Sequence, residues 1–223
     1  MPRLFVGTFL ADSDQAKLAK LKGANLYISK GWGRKVRFID QEKLHLTWAF
    51  IGEVDHSKLE LIAREVETAI GKLAEEVDGV GLVPRYQSLE IDYDRIELWP
   101  NSRRARLGVL AAAEAPDKVL QLGLILEGAL DKYKPEAERN KRPRDFRPHI
   151  TVFRVDQPRR NTPQGGRGGN RPSSMDEADI EIPPGTLPIK QRIDTVALIE
   201  SCMNIQPPVY KVLRSFSLDA LDS

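Results

Sequence analysis

Two short stretches hold the side chains best suited to chemistry: "EKLHLTWAF" at 42–50 and "FRPHITVFR" at 146–154. Each has a histidine with a threonine two places on, His45 with Thr47 and His149 with Thr151, in a chain with only three histidines. Threonine is 7 of 223 residues, so chance would give two of three histidines such a partner with a probability of roughly 0.003. Side chains alternate along a strand, so His45 and Thr47 share one face while Leu44, Leu46 and Trp48 take the other. His149 and Thr151 likewise oppose Ile150 and Val152. Burying imidazole and hydroxyl without partners is costly, and strands that pair would bring both polar faces to one cleft. Imidazole titrates at about 6.5, so one ring can serve as base while the other serves as acid. Threonine hydroxyls donate to anionic oxygens. A base, an acid and two oxyanion donors suit phosphodiester chemistry, in which a nucleophile is activated on one side and a leaving oxygen is protonated on the other.

The surrounding sequence must place those strands. Leu4 to Leu10 reads as a buried strand, followed by a helix within 11–27 capped by Asp12 or Ser13. A polar stretch, "SKGWGRK", leads to the strand "LHLTWAFIGEV". Leu59, Ile62, Val66, Ala69, Ile70, Leu73 and Val77 recur at helical spacing, which predicts a helix over 57–77. Short strands are expected near 80–83, 86–91 and 95–99, with a turn at "DYD", 92–94. The order then restarts with a strand at 104–112, a helix over 116–132 opened by Pro116, a basic connection and "HITVFRV". From Leu4 to His45 is 41 residues and from Ala105 to His149 is 44, a structural pseudo-repeat. Toward the end, "PIKQRIDTVALIES" and "VYKVLRSFSL" read as two further strands. The segment from about 156 to 188 is rich in Pro, Gly and Ser, with four arginines and then four acids. Its composition is that of a mobile, solvated insertion.

Bulk properties set limits. A net charge of +2 with 30% charged residues is too mild to mark a nucleic-acid binder, so any electrostatic footprint is local. Cys202 stands alone, which removes an intrachain disulfide, fits a reducing compartment and reads as a small buried hydrophobe. One cysteine and three histidines make a standard zinc site improbable. Neither a signal peptide nor a membrane span is evident, so a cytoplasmic protein is expected.

With these residues in view, "HLTWAF" and "PHITVFR" resemble the paired H-x-T-x signature of the 2H phosphoesterase superfamily. More narrowly, the chain resembles the LigT/ThpR-type RNA 2′,3′-cyclic phosphodiesterases, also called 2′-5′ RNA ligases. The opening "RLFVG", the Trp of "IELWP", "RPHIT" with its following arginine, and the closing "YKVLRSFSL" follow that family's layout, with 156–188 as the exception. The resemblance implies one α+β domain over 1–223, with two pseudo-symmetric lobes of antiparallel sheet and outer helices around a central cleft. It further implies a reaction without metal or cofactor that opens 2′,3′-cyclic phosphates of RNA ends or nucleotides to 2′-phosphates, and a monomer is expected.

Roles follow from the resemblance too. His45 matches the residue that protonates the departing 3′ oxygen, and His149 the one that assists water. Thr47 and Thr151 match the phosphate-oxygen donors, and Arg154 a phosphate-contacting arginine. Strict alternation places Arg154 opposite His149, so it reaches the cleft only if the strand ends or bulges first. Phe50 matches an aromatic near the nucleobase, yet alternation sets it with Leu46 and Trp48, in the core. Basic residues flank both motifs, and Arg34, Lys35, Arg37, Arg144 and Arg147 are candidates to guide an RNA end. His56, which lacks a threonine partner, reads as surface. Three alternatives stay open: reversible 2′-5′ linkage chemistry, hydrolysis of a small cyclic nucleotide, and a module that binds RNA without turnover.

Overall fold

The computed structural model describes residues 1–23, 36–75, 89–139, 145–156, 182–202 and 209–218. In chain order the elements are β1 (Arg3–Phe9), α1 (Asp12–Gly23), β2 (Val36–Phe38), β3 (His45–Glu53), α2 (Leu59–Glu75), β4 (Leu89–Tyr93), β5 (Arg95–Trp99) and β6 (Leu107–Ala111). There follow α3 (Asp117–Leu130), β7 (His149–Val155), β8 (Ile189–Ile193), β9 (Thr195–Cys202) and β10 (Val209–Ser217). The larger sheet runs β10-β9-β1-β3-β7-β6-β5, with β2 also on β7, and β4 pairs β8 separately. Every pairing is antiparallel, which makes the fold α+β.

The pseudo-repeat is visible in the topology. β1, α1 and β3 form one unit and β6, α3 and β7 the other, and each pair of strands is hydrogen-bonded side by side. Where the two units meet, β3 and β7 share the single pair Leu46↔Ile150. Beyond it β7 turns to β2, with Arg37 opposite Arg154. The sheet is thus two halves hinged at the two motif strands.

Apolar spacing explains the packing. Ile62, Val66, Ala69, Ile70 and Leu73 of α2 are buried in one stripe, and Val119, Leu122, Leu126 and Leu130 do the same on α3. Asp55 accepts hydrogen bonds from the Ser57 N–H (2.8 Å) and hydroxyl (2.7 Å) ahead of α2. Behind the first motif, Trp48 donates to Thr8 Oγ1 (2.9 Å), which donates to the Thr195 carbonyl (2.7 Å). The Trp48 ring stacks on Phe146 at 5.6 Å and 14°, so a side chain from each motif stretch meets in the core.

That stack depends on a glycine. A β-carbon on Gly123 of α3 would lie 2.3 Å from the Phe146 ring, whereas one on Gly128 would meet nothing within 4 Å. Gly123→Ala is expected to cost about 1–3 kcal/mol through overpacking, and Gly128→Ala to gain up to about 1 kcal/mol of helix propensity. Urea denaturation of the two variants checks the opposite signs.

Several expectations need correction. The 57–77 helix begins with a 3₁₀ turn over His56–Lys58, and α2 proper starts at Leu59. Asp12 lies inside the first turn of α1 and is not its cap. The strand expected over 104–112 narrows to Leu107–Ala111, because Ser102–Arg104 form a 3₁₀ turn held by Asn101 Oδ1 accepting from the Arg104 N–H at 3.0 Å. The "DYD" turn is absent: Asp92 and Tyr93 belong to β4, where Tyr93 buries its ring and donates to Gln191 Oε1 at 3.1 Å. The run after 188 splits into β8 and β9, which belong to different sheets. Cys202 is half-buried at the end of β9, and His56 is exposed as read. The expected strand at 80–83 and most of the 156–188 insertion lie outside the described residues. Among the described residues, no helix is long and apolar enough to cross a membrane.

Candidate active site

Continuing the Leu46↔Ile150 register by one residue sets His45 opposite Thr151 and Thr47 opposite His149. All four side chains are half-buried and face the same way. The histidines are then diagonal neighbours, a placement within reach of long and aromatic side chains.

The two strands match in finer detail. From the histidine onward, β3 and β7 share one order of burial: half-buried, buried, half-buried, buried, buried, exposed, buried. The two consecutive buried positions mark a bulge. On β3 the register against β1 shifts between Val6↔Ala49 and Gly7↔Thr47, which leaves Trp48 as the extra residue. On β7 it shifts between Gly108↔Phe153 and Val109↔Thr151, which leaves Val152. One extra residue reverses the alternation.

Both bulges act on the fifth residue after the histidine. Arg154 is exposed on the face of His149, as its sequence spacing required of a bulge. Phe50 is 40% exposed on the face of His45, which overturns its expected place in the core. Arg37 lies directly opposite Arg154 with a largely exposed side chain, and Asp156 stands 4.0 Å away.

Backbone carbonyls fix both imidazoles in the same way. His45 Nδ1 donates to the Lys43 carbonyl at 2.6 Å, and His149 Nδ1 donates to the Arg147 carbonyl at 2.7 Å. A carbonyl can only accept, so each Nδ1 carries the hydrogen and each neutral ring presents Nε2 as its lone pair. Burial holds both rings below the ordinary histidine value of 6.5, partly opposed by these carbonyl bonds. Charge on His149 lowers His45 further, and the Arg147 charge lowers His149. The two imidazoles thus sense each other.

Their surroundings differ. His45 packs among Phe5 (4.8 Å), Tyr210 (5.3 Å) and Phe9 (6.1 Å). His149 packs against Trp99 at 4.3 Å, and the Arg147 guanidinium lies over the Trp99 ring at 4.9 Å. Arg147 also donates to Glu97 at 3.1 Å, so it is less free to meet an RNA backbone than the sequence implied. An open depression of about 460 Å³ adjoins this cluster, between Glu97, Trp99, Pro100, Arg106, Leu107 and Arg147. None of the four motif side chains lines it. Arg34, Lys35 and Arg144 lie outside the described residues. Sequence reasoning missed Phe5, Phe9, Tyr210 and Glu97 as neighbours of the histidines. Among the described residues no three His, Cys, Asp or Glu side chains gather as a metal-ligand set.

No family model matches the chain. An RNA 2′,3′-cyclic phosphodiesterase of Methanothermobacter thermautotrophicus is 31% identical over 127 residues, 56% of this chain and 58% of that protein. The chain thus spans little more than half of that relative's length. A protein of the same description from Archaeoglobus fulgidus is 25% identical over 218 residues, covering 96% of this chain and 99% of its own. Among solved structures, a Thermus thermophilus protein superposes with a TM-score of 0.63 at 22% identity, covering 97% of both chains. Escherichia coli LigT in complex with 3′-AMP gives 0.60 at 21% identity over 98% of this chain and 99% of LigT. These structural likenesses concern the fold.

Proposed function

We propose that the chain is a LigT-type 2H phosphoesterase and that it hydrolyses 2′,3′-cyclic phosphate ends of RNA to 2′-phosphates, a reading supported by its similarity to two RNA 2′,3′-cyclic phosphodiesterases. The observation that carries this reading is the β3–β7 junction: two imidazoles on one face, each held by a carbonyl at Nδ1 and each presenting Nε2. Description of two relatives as RNA 2′,3′-cyclic phosphodiesterases supports the substrate.

In this reading His149 Nε2 takes a proton from water as the water oxygen bonds to phosphorus. The P–O3′ bond breaks, and His45, protonated at Nε2, gives its proton to the departing O3′. The 2′ ester bond stays intact, so the product carries a 2′-phosphate and a free 3′-hydroxyl. The next cycle needs the proton returned from His149 to His45, directly or through water. Thr47 and Thr151 donate to the non-bridging oxygens as charge grows on them. Arg154 and its cross-strand neighbour Arg37 add positive charge at the edge of the same face. Phe50 offers a ring to the terminal base.

The test is to incubate a short oligonucleotide ending in a 2′,3′-cyclic phosphate with the protein in EDTA and to map the product by ³¹P NMR. A 2′-phosphate is expected. A 3′-phosphate product, or turnover only with added metal, contradicts the reading, and tight salt-sensitive binding without product makes the protein a binding module instead.

A further inference from the structure

We infer that Glu97 is a positioning residue for His149, acting through Trp99 and Arg147. Glu97 Oε2 accepts from Trp99 Nε1 at 2.9 Å and from Arg147 Nη2 at 3.1 Å, while Oε1 accepts from Arg95 Nε at 3.1 Å. Both partners on Oε2 touch His149. The Trp99 ring packs on the imidazole at 4.3 Å, and the Arg147 carbonyl takes its Nδ1 hydrogen at 2.7 Å. The indole that packs on His149 and the cation beside it therefore meet at one carboxylate, which bears on the tilt of the ring and on the charge it senses, two properties a general base needs set.

Elsewhere on the edge strand a glutamate would be free in water. Here the Glu97 side chain is only 26% exposed. Burial works against its charge, but the bonds from Trp99 and Arg95 and the charges of Arg147 and Arg95 outweigh it and keep the carboxyl below its ordinary range. It stays ionised and offsets the Arg147 guanidinium, which lies over the Trp99 ring. The charged or titratable groups around His149 are Arg147 two residues before it, Arg154 on its own strand, Arg95 and Glu97 on β5, and His45 on β3. From β6 come Val109 and Ala111, which carry no charge.

Removal of either member should therefore move His149 in opposite directions. Glu97→Gln leaves Arg147 uncompensated, so the imidazole should titrate lower by roughly 0.3–0.5 pH unit. Arg147→Ala keeps the backbone carbonyl but removes the cation, so it should titrate higher. In turnover Glu97→Gln should lower kcat about tenfold while KM changes less than about threefold.

The experiment follows the His149 Cε1–H resonance against pH in the full chain without substrate, beside steady-state kinetics of each variant. Opposite displacements support the assignment. No displacement, displacement in one direction for both, or activity loss that merely tracks a fall in Tm overturns it. If Glu97→Gln does not fold, Arg147→Ala decides alone, with an upward movement in support and any other result against. The inference rests on His149 as the proposed base, yet the titration needs no turnover. An inactive wild-type protein would refute that catalytic reading and leave the positioning result separately legible.

Discussion

His45→Ala and His149→Ala are each expected to lower kcat on a cyclic-phosphate oligonucleotide by about 10²–10⁴, the usual worth of a positioned proton-transfer group. Neither ring fills the core: both are half-buried on the cleft face, and the apolar residues behind them, Leu46 and Ile150, are fully buried without them. Circular dichroism and Tm should therefore change little. The double variant should be hardly worse than either single one, because acid and base act in one step.

The same pair fixes the sign of the pH dependence. Burial depresses both rings below 6.5, so the free enzyme holds one proton between them only on the acid side of that value. The bell in kcat/KM, which reports free enzyme, should peak there. A bound phosphate anion stabilises imidazolium, so the bell in kcat should lie at higher pH. Each single histidine variant should lose one limb of its residual profile. A kcat/KM optimum well above 6.5 would mean that these imidazoles do not share the proton as described.

Thr47→Val and Thr151→Val form the second large prediction, each with about a 10²–10³ loss in kcat, the range for loss of one donor to a developing oxyanion. Valine keeps the branched shape and the strand preference, so what disappears is the hydroxyl. Extended by one residue, the Leu46↔Ile150 register sets each threonine opposite the histidine of the other motif. Gly7 lies opposite Thr47 on β1, and no side chain on that residue stands between the hydroxyl and the cleft. Serine at either position should restore most of the activity. Loss of activity equal in valine and serine variants would mean that the methyl, and hence packing, is what matters.

Much of this arrangement was legible in the letters. The faces of both motif strands follow from alternation, and Leu44, Leu46, Trp48, Ile150 and Val152 are buried as the spacing required. The helices at α2 and α3 follow from apolar stripes. What alternation could not supply was the bulge, since one inserted residue leaves composition unchanged. A trace existed: "TWAF" and "TVFR" each place two apolar residues after the threonine, and in both copies the pair is buried. Reading that doublet would have turned Phe50 and Arg154 to the cleft. The neighbours of the histidines left no such trace. Phe5, Tyr210 and Trp99 reach them across strands distant in the chain, and Glu97 looks like an ordinary polar letter of an alternating strand. Arg147 reads as a candidate to guide an RNA end, and only the structure shows its contacts with Glu97 and Trp99.

The proposition that two imidazoles serve a single phosphorus atom can be examined without turnover. Titration of the protein with a 2′-mononucleotide, with the Cε1–H resonances of His45 and His149 followed by NMR, reads both rings at once. Both signals are predicted to move along one saturation curve with the same Kd, and His45→Ala should weaken the response at His149. A response confined to one ring, or two curves with different Kd values, would contradict the account.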